Sequence, residues 1–215
     1  MPARATPSQW PGAAPWVPPE PELPALATAV QDCRGCDLFR DATRAVMGRG
    51  PADAHLMLVG EQPGDREDLA GEPFVGPAGR LLDDALEAAG IEPPSTFRTN
   101  AVKHFRFIDR GGKRIHKSPA RWQVAKCHPW LLAELESVRP AVVVLLGSTA
   151  GQAVFGPSFR VGVSRGRPLS WPEDMGSPAP GLVIATAHPA SVLRSRERDR
   201  DLAALVDDLR VAAAG

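Results

Sequence analysis

The sequence predicts an α/β fold with a mostly parallel sheet, and three observations indicate it. Four apolar runs have the length and the branched or bulky side chains of β-strands, and they cover residues 55–60, 97–102, 141–147 and 182–187. The third run, AVVVLLG, is apolar throughout, as expected of a strand that is covered on both faces. Helical patterns separate the runs, and strands that alternate with helices usually form a parallel sheet with right-handed crossovers.

Four segments between and after these strands have helical patterns. Residues 79–90, GRLLDDALEAAG, place an apolar stripe on one side of a helix, and Gly90 is a good stop at its C-terminal end. Residues 119–138 also follow a helical pattern, but Pro129 is expected to kink or split that helix. The two remaining helical segments are 148–156 and 201–214.

Proline content divides the chain into two parts. Eight of the 23 prolines lie within residues 1–24, and so proline-rich a segment forms neither a helix nor a strand ladder. We therefore expect a disordered or polyproline-like tail over residues 1–24 and one folded domain over residues 25–215. Trp10 and Trp16 in the tail could form a docking motif, or they could pack loosely on the domain.

Composition and charge narrow the class of protein. The 215 residues carry a formal net charge of zero, which argues against a protein coated in positive charge but does not exclude a local basic patch. No apolar run reaches the roughly 18 residues of a membrane span, and the first residues lack the cationic and apolar regions of a signal peptide. A cytoplasmic location is therefore the expectation. The three cysteines do not suit a disulfide framework, so the Cys33-x-x-Cys36 pair indicates a metal or redox site.

Polar or glycine-rich clusters follow each predicted strand. Glu61 and Gln62 come directly after the first strand, Asn100 ends the second, and His188 follows the fourth. In open parallel sheets, ligands bind beyond the carboxyl ends of the strands. These four side chains are therefore expected to meet on one rim of the sheet.

Residues 59–82, VGEQPGDREDLAGEPFVGPAGRLL, are the most informative run of the chain. Gly60 and Gly64 flank a tight loop whose exposed backbone amides could hold an anion or a carbonyl oxygen. The run is neither a Walker-type phosphate loop nor a G-x-G-x-x-G dinucleotide fingerprint. Phe74 lies in a Pro/Gly-rich loop, where its ring either stacks on a planar ligand or forms part of an ordinary core.

The same run resembles the iron–sulfur uracil-DNA glycosylases, with their G-E-x-P-G and P-F-V-G-P-A-G signatures. Three short motifs, GEQPG, NAVKHF and KRIH, resemble the UdgX branch of that superfamily, which is close to family 4. The resemblance covers roughly residues 30–210 and implies a three-layer α/β/α sandwich around a four-stranded parallel sheet.

The resemblance also implies a substrate, which is uracil in DNA. An enzyme that acts on a base in DNA must flip the base into a pocket and recognise its edge. The implied pocket residues are Gln62, Gly64, Asp65, Phe74 and Asn100. Asn100 would pair with the imide edge of uracil, and Phe74 would stack on the ring. His188 would stabilise negative charge on the departing uracil. The remaining catalytic candidate is Glu61, which could orient the ring of the loop histidine His116 or accept its proton.

A basic segment follows the second strand. Residues 103–126 contain eight Lys or Arg and one acid, which is typical of a phosphate-binding surface, although a solvated charged face is the alternative. The predicted DNA-binding residues are Lys103, Lys113, Arg114, Lys117 and Ser191. The family commonly has HPSS where this chain has HPAS, so Ala190 removes one hydroxyl that could contact a DNA phosphate.

His116 lies in this segment, within GGKRIHKSP. The resemblance to the UdgX branch implies that His116 attacks the sugar carbon after uracil departs and bonds to it covalently. A neutral imidazole is a competent nucleophile, and the surrounding cations favour the neutral ring. The two glycines are expected to make the segment a mobile loop. This loop is one basic residue shorter than the family's K-R-R-I-H, and the alternative is that His116 contacts phosphate.

Three cysteines and one histidine are the predicted metal ligands. The resemblance implies a [4Fe–4S] cluster on Cys33, Cys36, Cys127 and His104, where His104 takes the place of a fourth cysteine in related enzymes. A zinc site with three cysteines and one histidine is the chemical alternative.

The sequence therefore predicts a monomeric uracil-DNA glycosylase that acts on uracil-containing DNA, single-stranded or double-stranded, and captures it covalently. One alternative is a turnover glycosylase that releases abasic DNA. The other is a non-catalytic iron–sulfur module that binds nucleic acid.

Overall fold

The structure is a computed structural model that describes residues 6–176 and 178–215. Its seven strands are β1 (Leu56–Gly60), β2 (Phe97–Asn100), β3 (Phe107–Arg110), β4 (Lys113–His116), β5 (Val142–Leu146), β6 (Pro168–Leu169) and β7 (Leu182–Thr186). Its eight α-helices are α1 (Leu23–Ala29), α2 (Asp65–Ala70), α3 (Pro77–Ala88), α4 (Arg121–Val138), α5 (Ser148–Phe155), α6 (Val161–Ser164), α7 (Pro189–Leu193) and α8 (Arg198–Ala213).

The fold is mixed α/β. Its central sheet is mainly parallel and has the strand order β2-β1-β5-β7-β6. The four predicted strands pair in parallel, and the register sets Gly60 of β1 opposite Asn100 of β2. The prediction of four strands is wrong, because β6 adds a fifth strand antiparallel to β7. The sequence pattern did not reveal β6 because that strand has only two residues and begins with Pro168.

Helices cover both faces of the sheet, which gives three layers. Side chains alternate along β1 and β5, so Leu58 and Val144 pack on one face while Met57 and Val143 pack on the other. The first face meets the apolar sides of α3 and α8, and the second face meets those of α4 and α5. Both strands are consequently buried along their whole length.

The basic segment forms a hairpin of β3 and β4 rather than the predicted loop. Gly111 and Gly112 connect the two strands, and both have positive φ angles, 62° and 78°. A two-residue hairpin turn favours glycine because its backbone requires positive φ at both positions. The antiparallel pairing sets His116, at the end of β4, opposite Phe107.

Helix α4 runs from Arg121 to Val138 without a split, although Pro129 lies inside it. Residue Arg139 ends the helix in the left-handed conformation, with φ of 50°. The helix therefore connects the hairpin to β5 as one element, and it carries Cys127 on a buried face.

The described part of the predicted tail, residues 6–24, lies against the domain. The backbone N–H groups of Gly12 and Ala13 donate to the carbonyls of Gly35 and Lys126. The Trp10 ring is buried and meets Phe39 edge-on. These contacts agree with the alternative in which the tryptophan packs on the domain, and residues 1–5 of the predicted tail lie outside the described residues. Among the described helices, none is long and apolar enough to cross a membrane.

Candidate active site at the carboxyl ends of the strands

A cavity of about 350 Å³ opens at the carboxyl ends of the parallel strands. It brings together seven of the residues predicted from sequence, which are Gln62, Gly64, Asp65, Phe74, Asn100, His116 and His188. They come from the segment between β1 and α3, the end of β2, the hairpin and the start of α7. The expected convergence of strand ends is therefore present in the structure.

The side chains of Asn100 and Phe74 pack closely against the Cα atom of Gly60. A Cβ atom at Gly60 would stand 2.4 Å from Oδ1 of Asn100 and 2.7 Å from Cζ of Phe74. Glycine at this position is therefore required for both side chains to line the cavity. Within the described part of the chain, the Asn100 side-chain amide has no hydrogen-bond partner, which leaves its donors and acceptor available to a ligand.

Phe74 has an unusual backbone conformation. Its φ of 59° lies in the left-handed region, which costs a non-glycine residue of order 1 kcal/mol. Its carbonyl oxygen would stand 1.6 Å from a Cβ atom at Gly79, so the helix that follows can pack closely only because of that glycine. Phe74 belongs to the core cluster and also lines the cavity, so the two expectations from sequence are compatible.

His188 presents a defined tautomer to the cavity. Its Nδ1 atom accepts a hydrogen bond from the backbone N–H of Ala190 at 3.1 Å, which caps the start of α7. Burial lowers the pKa of His188 from 6.5 to about 4, so the ring is neutral at physiological pH. A neutral ring that accepts at Nδ1 carries its proton on Nε2, where it can be donated to a ligand.

His116 and Glu61 form a pair at the edge of the cavity. Nε2 of His116 lies 3.5 Å from Oε1 of Glu61. Burial lowers the pKa of His116, Glu61 opposes that effect by raising it, and the positive charge of Arg194 lowers it further. The net lowering favours a neutral imidazole, which has a free lone pair.

Two residues near this pair were missed by sequence analysis. Thr149 donates its hydroxyl hydrogen to Oε2 of Glu61, and Arg194 lowers the pKa of both His116 and His188. The signal for Thr149 was its place in GSTA, directly after the third predicted strand. No comparable signal marked Arg194.

Gln62 has a different role from the one predicted for it. Its side-chain amide accepts from the Arg106 N–H at 3.1 Å and donates to the carbonyls of Arg106 and Lys117 at 3.1 and 3.3 Å. These groups lie at the two ends of the hairpin. The Gln62 amide therefore holds the hairpin beside the cavity, so its hydrogen bonds are not free for uracil.

Arg114 and Asp65 attach the hairpin to α2. The Arg114 guanidinium contacts the carboxylates of Asp65 and Asp68, each at 2.6 Å. Arg114 was predicted to bind DNA and Asp65 was predicted to bind the substrate. In the structure the two side chains instead form an ion pair with each other. Lys113 and Lys117 on the same hairpin are exposed.

The prediction that Lys103 binds DNA is wrong. Its side chain is fully buried, and its ammonium group contacts Glu134 Oε2 at 2.6 Å. The same ammonium donates to Thr99 Oγ1 and to the carbonyl of Asn100, both at 2.7 Å. Lys103 therefore supports the backbone of Asn100 from inside the protein. Ser191, in contrast, is exposed beside the cavity, and its hydroxyl donates to the carbonyl of His188.

The three cysteines share one buried cluster of side chains. The pKa of Cys36 and that of Cys127 are raised to about 12, chiefly by burial and in smaller part by the neighbouring cysteines. Two donors reach the sulfurs at 3.3 Å, which are the Trp130 indole N–H on Cys33 and the Lys103 backbone N–H on Cys127. Thiolates buried so closely together require a positive centre, and N–H donors to sulfur are typical of iron–sulfur sites.

His104 fits the chemistry of a fourth ligand. It follows Lys103 directly, is buried, and burial lowers its pKa to about 4, so its ring is neutral. Across residues 6–176 and 178–215, no group of three or more His, Cys, Asp or Glu side chains converges as the ligands of a single metal ion would. In a four-iron cluster each ligand binds a different iron, so such convergence on one point is not required.

Comparisons with known proteins identify the family. A sequence profile of the uracil DNA glycosylase superfamily matches residues 47–210. The chain is 34% identical over 175 residues to the type-4 uracil-DNA glycosylase of Thermotoga maritima, which covers 81% of this chain and 84% of that one. It is 32% identical over 176 residues to the type-4 uracil-DNA glycosylase of Saccharolobus solfataricus, with coverage of 80% and 77%. The enzyme of the same type from Archaeoglobus fulgidus is 38% identical over 133 residues, or 62% and 63% of the two chains. The chain belongs to the uracil DNA glycosylase superfamily.

Proposed function

We propose that this protein is a uracil-DNA glycosylase of the UdgX kind, which excises uracil from DNA and captures the remaining deoxyribose through His116. The observation that carries the proposal is the single cavity that unites Asn100, His188 and His116. The type-4 names of the relatives support excision of uracil. The motifs GEQPG, NAVKHF and KRIH support the UdgX assignment.

Uracil recognition rests on Asn100 and Phe74. The free amide of Asn100 offers one acceptor and two donors, which match the N–H and carbonyl groups on the imide edge of uracil. Phe74 supplies an aromatic wall against which the flipped ring stacks. Flipping costs a few kcal/mol, and less in single-stranded DNA, where the base is already unpaired.

Bond cleavage rests on His188. The C1′–N1 bond breaks with both electrons passing to uracil, and negative charge develops on O2. His188 lines the cavity and is a neutral donor at Nε2, and one such donor contributes about 3–4 kcal/mol to catalysis. The ring is neutral before the reaction and keeps its Nε2 proton, so His188 stabilises the developing charge by a hydrogen bond without transferring that proton.

Capture rests on His116 and Glu61. A lone pair on one nitrogen of the His116 ring forms a bond to C1′, which has just lost uracil. The ring then carries a positive charge, and the proton on its other nitrogen is held by the Glu61 carboxylate. The uracil anion takes up a proton from solvent. The products are free uracil and a protein–DNA adduct, so each protein molecule reacts once.

The DNA backbone is proposed to lie along the exposed cations of the hairpin. Lys113 and Lys117 are exposed there, and Ser191 is exposed three residues after His188, which lines the cavity. Lysines of this kind contribute sequence-independent affinity that falls with salt. Arg114 is occupied by two carboxylates, so its part is to hold the hairpin rather than to bind phosphate.

We also propose that Cys33, Cys36, Cys127 and His104 hold a [4Fe–4S] cluster. The buried thiols, the donors to two of their sulfurs and the neutral His104 ring support this ligand set. The cluster would supply positive charge to the thiolates and connect the N-terminal segment, α4 and the end of β2. Protein purified without oxygen should contain iron and acid-labile sulfide in equal amounts. Zinc without sulfide would instead identify the alternative site.

One experiment separates the candidate functions. Excess protein is mixed with a single-stranded oligonucleotide that contains one uracil, and both free uracil and the denatured DNA are analysed. Uracil release with a slow band that survives boiling in detergent supports capture. Uracil release with alkali-labile DNA supports a turnover glycosylase. Unaltered DNA contradicts both enzymes and leaves a binding module.

A further inference from the structure

Thr149 occupies a position that none of the proposed steps uses. It is the second residue of α5, and its hydroxyl donates to Oε2 of Glu61. The other carboxylate oxygen, Oε1, faces Nε2 of His116 at 3.5 Å. The two oxygens of Glu61 therefore have separate partners, one structural and one in the cavity.

The backbone that carries Thr149 is fixed by the same turn that fixes His188. Gly147 precedes α5 with a φ of 89°, and its N–H donates to the carbonyl of Thr186 at 2.8 Å. A Cβ atom at Gly147 would stand 2.9 Å from Cβ of His188. The hydroxyl is therefore a rigid point beside the cavity.

The Glu61–His116 pair needs a fixed hydrogen-bond partner because solvent reaches both side chains. The side chain of Glu61 is 20% exposed and that of His116 is 49% exposed. Holding two exposed side chains in one geometry costs rotamer entropy, so an unsupported pair of this kind contributes little. A hydrogen bond from a rigid hydroxyl restricts the carboxylate to the rotamer that faces His116.

We propose that Thr149 is a positioning residue for covalent capture. It holds the Glu61 carboxylate against His116, so that the imidazole stands where it reaches C1′ before water does. The inference rests on the proposed function, because capture through His116 is the step that it assists. Recognition of uracil and cleavage of the C1′–N1 bond do not depend on Thr149.

Two substitutions test this role by comparing capture with excision. Thr149→Val removes the hydroxyl and keeps the shape, whereas Thr149→Ser keeps the hydroxyl. The ratio of adduct to abasic DNA should fall about tenfold in Thr149→Val, the order expected for one hydrogen bond to a charged group, while uracil release is unchanged. Thr149→Ser and the neighbouring control Ser148→Ala should keep the wild-type ratio. An unchanged ratio in Thr149→Val would overturn the inference, as would an equal loss of excision and capture.

A second measurement does not depend on catalysis. Glu61 raises the pKa of His116, so releasing the carboxylate should lower that pKa in Thr149→Val and leave it unchanged in Thr149→Ser. An NMR titration of the His116 ring in the full chain measures this shift. An unaltered His116 pKa in Thr149→Val would show that the hydroxyl does not position the carboxylate. If the wild-type protein released no uracil or formed no adduct, the proposed function would fail, and the titration would still decide the role of Thr149.

Discussion

Nε2 of His116 lies 3.5 Å from Oε1 of Glu61, although the first residue ends a hairpin and the second follows the central strand β1. The hairpin is held in this place by the Gln62 amide and by the ion pairs of Arg114. The hairpin that carries His116, the proposed nucleophile, is therefore held beside the cavity by contacts at several points.

Replacing His116 by alanine should separate excision from capture. The adduct yield should fall by at least about 100-fold, because water is then the nucleophile nearest to C1′. Uracil release should persist, since Asn100 and His188 are unaltered. Single-turnover assays with gel analysis measure both quantities, and His55→Ala at an exposed site is the matched control. A His116→Ala protein that still forms adduct would remove this residue from its role.

Replacing Asn100 by aspartate should impair excision itself. The carboxylate lacks the two N–H donors of the amide and places negative charge beside a leaving group that becomes negative. We expect the single-turnover rate of uracil release to fall about 100-fold, the loss typical of one preorganised donor. The melting temperature serves as the control for folding. A near-normal rate would show that Asn100 does not read uracil.

Replacing Lys103 by methionine should destabilise the fold. It leaves the fully buried Glu134 carboxylate without its cation, which costs about 3–5 kcal/mol of unfolding free energy. Lys103→Met/Glu134→Gln should recover most of this loss, and Lys113→Met on the exposed hairpin should change stability by less than about 0.5 kcal/mol. Denaturant unfolding measures all three. Excision should stay reduced in the double variant, because the Asn100 carbonyl has lost its donor.

The sequence made part of this arrangement predictable. Three of the four parallel strands are continuous apolar runs, so the strand ends and the meeting of Asn100 with His188 could be anticipated from the pattern. The place of His116 beside them was expected only from the resemblance to the family. The hairpin could not, since its turn glycines are equally typical of a loop. The burial of Lys103 depends on Glu134, which lies 31 residues later and which no local pattern connects to it. Long-range pairing of this kind is visible only in the folded chain.

The pH dependence of excision should report the environment of His188. The pKa of His188 is about 4 in the folded protein and 6.5 without the effect of burial, so the unfolded chain binds the proton more readily. Stability from this group is therefore present above pH 6.5 and lost as the pH falls toward 4. Uracil release should stay nearly constant from about pH 8 to about pH 5.5 and fall as the pH approaches 4, because a proton on Nδ1 breaks the hydrogen bond from the Ala190 N–H that fixes the His188 ring. A midpoint near 6.5 would contradict a neutral, buried donor.

Peptide mapping of the reacted protein by mass spectrometry is the sharpest test of covalent capture. After reaction with a short uracil-containing oligonucleotide and digestion with nuclease and protease, we expect one modified peptide. Its added mass should equal that of a deoxyribose-containing remnant that lacks uracil, and fragmentation should locate the bond at His116. A remnant bonded to another residue, or free uracil with no modified peptide, would show that His116 does not capture the sugar.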